Sequence, residues 1–118
     1  MARDPPPDPS SGNDSPPVSV PGVVMRVHRA RGEIVVAACD ADLIGTSLRI
    51  GSREVAITSH FYGWRQVSSE ELVQAIRQGT IVNLLGTRTV TIAQKAGLLT
   101  AGGTGQLGGV PHAEIFQM

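Results

Sequence analysis

An unbroken apolar run at residues 34–39, Ile-Val-Val-Ala-Ala-Cys, constrains this chain more than any other feature. It is rich in β-branched residues, and Glu33 and Asp40 bound it. Such a run reads as a strand buried on both faces, and therefore central in its sheet. Within residues 32–45, GEIVVAACDADLIG, the strand ends in Asp-Ala-Asp and a glycine turn, a place where a sheet presents polar groups.

The flanking segments supply partners for that strand. Residues 23–30 alternate, with Val23, Met25 and Val27 on one face and Val24, Arg26 and His28 on the other. Arg31-Gly32 is a tight turn, so the first two strands form a hairpin. Residues 40–45 make a turn or a single helical turn, and residues 47–50 and 54–58 flank Gly51-Ser52 as a second hairpin. A helix then starts at the capping box Ser68 to Glu71, buries Leu72, Ala75 and Ile76, and stops at Gly79. Residues 80–85 form a short buried strand interrupted by Asn83, and a second helix runs from Gly86-Thr87 to Gly97. Residues 100–109, with five glycines, read as a flexible loop before a last strand at residues 110–116. The expectation is one α+β domain over residues 23–118. It has two β-hairpins followed by an αβαβ half, forming a single mixed sheet with two helices.

Residues 1–22 hold seven of the eight prolines and too little apolar surface to offset ordering entropy, so they should be disordered or polyproline-like. They carry a net charge of −2, leaving +2 for the domain, which is far short of what electrostatics alone would need to hold RNA. Nine of the ten basic residues are arginine, which suits planar recognition of phosphate or carboxylate, although coding bias explains it equally well. Cys39 is the single cysteine, so an intramolecular disulfide is excluded and a reducing, cytoplasmic setting is the default. No apolar run approaches the ~18 residues needed to span a membrane.

Aromatic residues are scarce, at 3%, and three of the four lie together in His60-Phe-Tyr-Gly-Trp-Arg65. Tyr62 and Trp64, beside Arg65, could stack on bases or on a partner's side chains; alternatively Phe61 and Trp64 plug one end of an aliphatic core. Arg26, His28, Arg49 and Arg53 would share a basic face if the two hairpins pair. Asp40 ends the central strand, Asn83 interrupts a buried one and His112 enters the last; they form a candidate polar cluster in which Asn83 is expected to reach at least one of Asp40 and His112, since a buried amide must find a partner. Cys39 with His112 raises a thiol–imidazole nucleophile, a weak signal because Cys39 lies inside an apolar strand. His28, His60 and His112 lack metal-ligand spacing, so no metal is expected. Residues 102–108, GGTGQLG, resemble a phosphate loop superficially but lack its lysine and lead into a strand. No cofactor is expected.

The segments RGEIVVAACDADLIG, FYG, IVNLLG and GGVPHAEI, in this order and spacing, resemble a small archaeal family, domain of unknown function 424. The resemblance covers residues 24–118; residues 1–22 depart from the pattern, because members typically begin at the first strand. Family positions that recur map here to Gly32, Asp40, Gly45, Tyr62, Gly63, Asn83, Gly86, Pro111 and His112. No enzymatic activity comes with the resemblance. Its gene context among archaeal translation genes implies a ribosome-, rRNA- or translation-factor-associated role. The leading expectation is a non-enzymatic binding protein, contacting its partner through Arg26, Arg53, Tyr62, Trp64, Arg65, Asn83 and His112. The alternatives are a small enzyme or ligand-binding domain with its site at Asp40, Asn83 and His112, and an interaction domain that forms a homodimer through an open sheet edge.

The change from proline-rich to alternating sequence at residue 23 makes the first segment dispensable. Deletion of residues 1–22 should shift the melting temperature by no more than a few degrees, as for about 1 kcal/mol or less. A large loss in a thermal melt would show that the segment packs on the domain.

Overall fold

A computed structural model describes residues 22–99 and 103–117. The expectations for the proline-rich segment up to residue 21 and for the loop at residues 100–102 lie outside the described residues. The elements in order are β1 (Val23–Ala30), β2 (Glu33–Asp40), a 3-10 turn (Ala41–Leu43), β3 (Ser47–Ile50), β4 (Arg53–Ala56) and α1 (Ser59–Tyr62). After these come β5 (Gln66–Val67), α2 (Ser69–Gln78), β6 (Ile81–Leu85), α3 (Thr87–Lys95), β7 (Thr104–Leu107) and β8 (Val110–Phe116).

Six strands form a mixed sheet in the order β5-β1-β2-β6-β8-β7, with the apolar run of β2 near its middle. β2 pairs with β1 antiparallel and with β6 parallel, and the remaining pairs are antiparallel. Arg31 (φ 54°) and Gly32 (φ 80°) make the two-residue turn of the first hairpin, and positive φ at both positions gives the turn a twist that matches the right-handed twist of the strands. The α+β class, the central strand and both long helices follow the sequence expectation. Four details differ. β3 and β4 form a separate two-stranded ribbon, so the sheet is not single and the two hairpins do not pair. A one-turn helix, α1, precedes the two expected helices, and two-residue β5 extends the sheet beside β1. The glycine-rich stretch contains β7, which pairs with β8 from Thr104↔Ala113 to Leu107↔Val110.

Strand alternation gives the sheet two different faces. Val23, Met25, Val36, Ala38, Val82, Leu84 and Ala113 face α2 and α3, which contribute Leu72, Ile76, Val90 and Ala93 to the main core. α2 is amphipathic and capped as expected: Ser68 Oγ accepts from the Glu71 backbone N–H at 3.0 Å. The Glu71 carboxylate does not close the box but pairs with Arg65. On the other face Val24, Ala37, Cys39 and Leu85 pack under Tyr62, under Leu48 of the ribbon and under Ile57 just beyond it.

α3 is anchored by a residue distant in sequence. Its N-cap position is Gly86 (φ 111°), which has no side chain to offer the free backbone N–H groups of the first turn. Asp40, at the end of β2, supplies the missing acceptor. Its Oδ1 accepts from the Thr89 N–H and the Thr89 hydroxyl, both at 2.9 Å, and its Oδ2 accepts from the Arg88 N–H at 3.1 Å. Asp40 and Thr89 are both buried. A Cβ at residue 86 would lie 2.4 Å from the Asp40 carboxyl carbon, so only glycine fits there.

Asp40→Ala leaves three donors without partners, two of them buried, and should cost about 2–4 kcal/mol. That corresponds to a fall in melting temperature of roughly 10–20 °C. Asp40→Asn, which can accept from only one side of its amide, should lose about half as much. A shift below ~3 °C for Asp40→Ala in a thermal melt would contradict this anchoring role.

Candidate functional site on the second sheet face

The face opposite α2 and α3 is built of three cross-strand rows. Val24, Cys39, Leu85, His112 and Gly105 form the first; Arg26, Ala37, Asn83 and Glu114 the second; His28, Val35, Ile81 and Phe116 the third. The first row lies under α1 and the ribbon. The other two rows are largely open: Arg26, Glu114 and Phe116 are exposed, and His28, Val35, Ile81 and Asn83 are half-buried.

α1 stands over this face because the chain crosses β1 closely just after it. At Gly63 (φ 82°) a Cβ would lie 2.9 Å from Arg26 Cβ and 3.0 Å from the Met25 carbonyl oxygen. The turn is tied down by the Arg26 guanidinium, which donates to the His60 carbonyl at 2.8 Å, and by His28 Nε2, 2.8 Å from the Phe61 carbonyl. A carbonyl only accepts, so His28 Nε2 carries the proton. The His28 ring stacks on Phe61 at 5.5 Å, and Phe61 meets Tyr62 edge-on at 4.8 Å.

A polar relay continues across the face. Tyr62 is buried, and its hydroxyl donates to Asn83 Oδ1 at 2.8 Å. Burial, and then the neighbouring Cys39 and Glu114, push the Tyr62 phenol up, so it stays a donor. Asn83 Nδ2 faces Glu114 Oε2 at 3.4 Å. The orientation of the amide is thereby fixed. An ionised carboxylate can only accept, so the amide nitrogen must turn to Glu114 and its oxygen to Tyr62.

The expected three-residue cluster is divided by the sheet. Asp40 shares its face with Ala38 and serves α3, whereas Asn83 and His112 lie on the second face. Strand alternation is the cause, since residues an odd number of positions from the facing pair point the other way. Ala37↔Asn83 and Leu85↔His112 are same-face pairs, and Asp40 falls out of step with both. Cys39 and His112 share a row but are separated by Leu85, two strand spacings or roughly 10 Å, so they do not form a thiol–imidazole pair. Burial, followed by the charges of Asp40 and Asp42, pushes the Cys39 thiol up to about 12.

The arginines are also divided. Arg26 lies on β1, while Arg49 and Arg53 lie on the ribbon, where Arg49 pairs with Glu54 at 3.6 Å. β3 packs by Leu48 and the Arg49 backbone against the β7–β8 turn. That turn is three to four strand spacings from β1, roughly 14–19 Å across the sheet. In the aromatic turn Tyr62, not Trp64, plugs the core; Trp64 is 78% exposed and Phe61 37%.

Two participants escaped the sequence reading. Glu114 is two residues from His112 on β8, and the period-two alternation of that strand was the available signal. Thr89 is a buried helix residue with no sequence signature of its partner Asp40. Among the described residues no group of three His, Cys, Asp or Glu is arranged to hold a metal ion, and no helix is long and apolar enough to cross a membrane. A groove of about 530 Å³ between α2 and α3, lined by Ser69, Glu70, Val73, Gln74, Ile92, Lys95 and Ala96, lies on the helical side, away from Asn83 and His112.

A solved structure described as an uncharacterized conserved protein from Methanopyrus kandleri shares this fold, with a TM-score of 0.72 and 27% sequence identity. The match covers 81% of this chain and 91% of that one. No curated protein matches the chain. Residues 28–118 match the family described as Protein of unknown function (DUF424), and over that span, most of its length, the chain belongs to this family.

Proposed function

We propose that the domain is a non-enzymatic binding protein of the translation apparatus that meets RNA through the second sheet face and the aromatic turn above it. One observation carries this reading: three of the four aromatic rings are left outside. Trp64 is 78% exposed, Phe116 71% and Phe61 37%, in a chain with only four such residues. Burying a large side chain is worth roughly 1.5–3 kcal/mol, so a core short of aromatics would be expected to use them. Exposed rings near Arg26 and Arg65 are what base stacking with phosphate neutralisation requires.

The gene context implied by the family resemblance supports a translation partner. The chemistry of the neighbouring groups supports binding over catalysis. The Asp40 carboxylate is consumed in capping α3, and the Cys39 thiol is protonated at neutral pH, so neither is available as a base or nucleophile.

The test is co-sedimentation with ribosomes from the source organism through sucrose gradients at increasing salt. Binding should weaken steeply with salt as arginines release phosphate counterions. Arg26→Glu combined with Trp64→Ala should weaken it by about tenfold or more while the melting temperature falls by no more than several degrees, because both side chains are exposed and only the exposed bond from Arg26 to the His60 carbonyl is lost. Adding Arg53→Glu should change little further, since Arg53 is remote from the face. Undiminished co-sedimentation of the double variant would overturn the assignment of this surface.

A further inference from the structure

We propose that the second sheet face binds single-stranded RNA carrying an unpaired guanine, read by Asn83 and Glu114 and stacked on Phe116. The inference rests on the RNA-binding reading above and adds which base is chosen.

The argument starts from the relay of Tyr62, Asn83 and Glu114. With Oδ1 held by the Tyr62 hydroxyl at 2.8 Å, Asn83 presents only N–H groups to the open side. Next to it, on β8, the exposed Glu114 carboxylate presents only acceptors at neutral pH. The face thus carries a fixed series of one donor followed by two acceptors. The Watson–Crick edge of guanine carries the complement, the O6 acceptor followed by the N1–H and N2–H donors. Asn83 Nδ2 gives to O6, and the two Glu114 oxygens take the protons of N1–H and N2–H. Adenine and cytosine match this series with two hydrogen bonds at most. Uracil sets a carbonyl oxygen against a carboxylate oxygen, which is repulsive.

The surroundings fit an unpaired base. Phe116 lies two residues beyond Glu114 on the same strand face, ~7 Å away, and its ring is 71% exposed beside half-buried Ile81. Bases splayed out of single strands stack on such rings while their edges are read by adjoining side chains. On the far side of the face Arg26 of β1 supplies positive charge, about 14 Å from Glu114. A carboxylate on an RNA-contacting surface repels phosphate unless a base engages it, so Glu114 acts in selection more than in affinity.

The experiment is fluorescence anisotropy of the full chain with labelled octamers, UUUGUUUU against the same sequence with A, C or U at the fourth position, at low salt. The guanine octamer should bind ~10-fold or more tighter than the all-uridine one, with adenine and cytosine between. Glu114→Gln, which sets an amide N–H₂ against one guanine donor, should reduce that preference to less than ~3-fold. Phe116→Ala should weaken all four octamers alike. Both residues are exposed, so the melting temperature should not move. If all four octamers bind equally and Glu114→Gln changes nothing, while Arg26→Glu still weakens them, guanine selection is wrong and the RNA-binding face stands. If no octamer binds but ribosomes still co-sediment, guanine selection is again wrong and the contact is to ribosomal protein or structured RNA. If neither binds, both readings fall.

Discussion

The carboxylate of Asp40 at the first turn of α3 is the contact on which the rest of this structure is built. It joins the end of the central strand to a helix that begins 47 residues later. The same corner carries Gly86, whose backbone N–H donates to the Pro111 carbonyl at 2.8 Å. Asp40 therefore fixes α3 over β2, and Gly86 fixes β6 against the start of β8. Its position is favourable for physical reasons as well as geometric ones. A helix N-terminus has free N–H donors and a positive dipole end, and a buried carboxylate needs both. Either partner alone would be costly in an apolar interior; together they satisfy each other.

This contact also marks the limit of what the sequence reveals. The apolar run of β2, the Arg31-Gly32 hairpin and the Ser68 cap are local signals, and each is read within a few residues. Asp40 at a strand end looks the same whether it serves a ligand or a helix. Its use is decided by Thr89, which no local pattern links to it. The one sequence trace is negative, a helix opening at Gly86-Thr87 with no serine, aspartate or asparagine at the capping position. β7 was hidden for a related reason. Strand propensity resides in side chains, and Thr-Gly-Gln-Leu has few that pack, so its pairing with β8 sets its conformation. The ribbon of β3 and β4 was legible as a hairpin but not in its attachment, because it sits on the β7–β8 turn by a close backbone approach at Gly108.

For the site, the difficulty was parity. Asp40 and His112 do lie toward one end of the sheet, with Asn83 two residues further in on β6. Whether they meet depends on register, and a shift of one residue moves a side chain to the opposite face. Register in a parallel pair such as β2–β6 is set by packing of the long connection between them, in which no turn residue specifies it. The observed pairing, Ala37↔Asn83, sends Asn83 to the face of Ala37 and Cys39 and leaves Asp40 with Ala38 and the helices.

That pairing explains why one aromatic ring is inside and three are not. Ala37 and Cys39 are small, and the depression they leave on the second face is filled by a single large ring, that of Tyr62. A phenol in that position must bring its hydroxyl to an acceptor, and Asn83 is the nearest polar group on the adjoining row. The core demand for one ring thus determines the direction of an amide at the surface. The amide in turn faces Glu114, which β8 delivers to the same row. Further rings have no depression to fill, because aliphatic side chains close the remainder of both cores. Phe61 and Phe116 are left beside a polar pair whose donor and acceptor sides are already set, an arrangement held by buried packing on one side and open to a partner on the other, while Trp64 lies exposed by the ends of the ribbon.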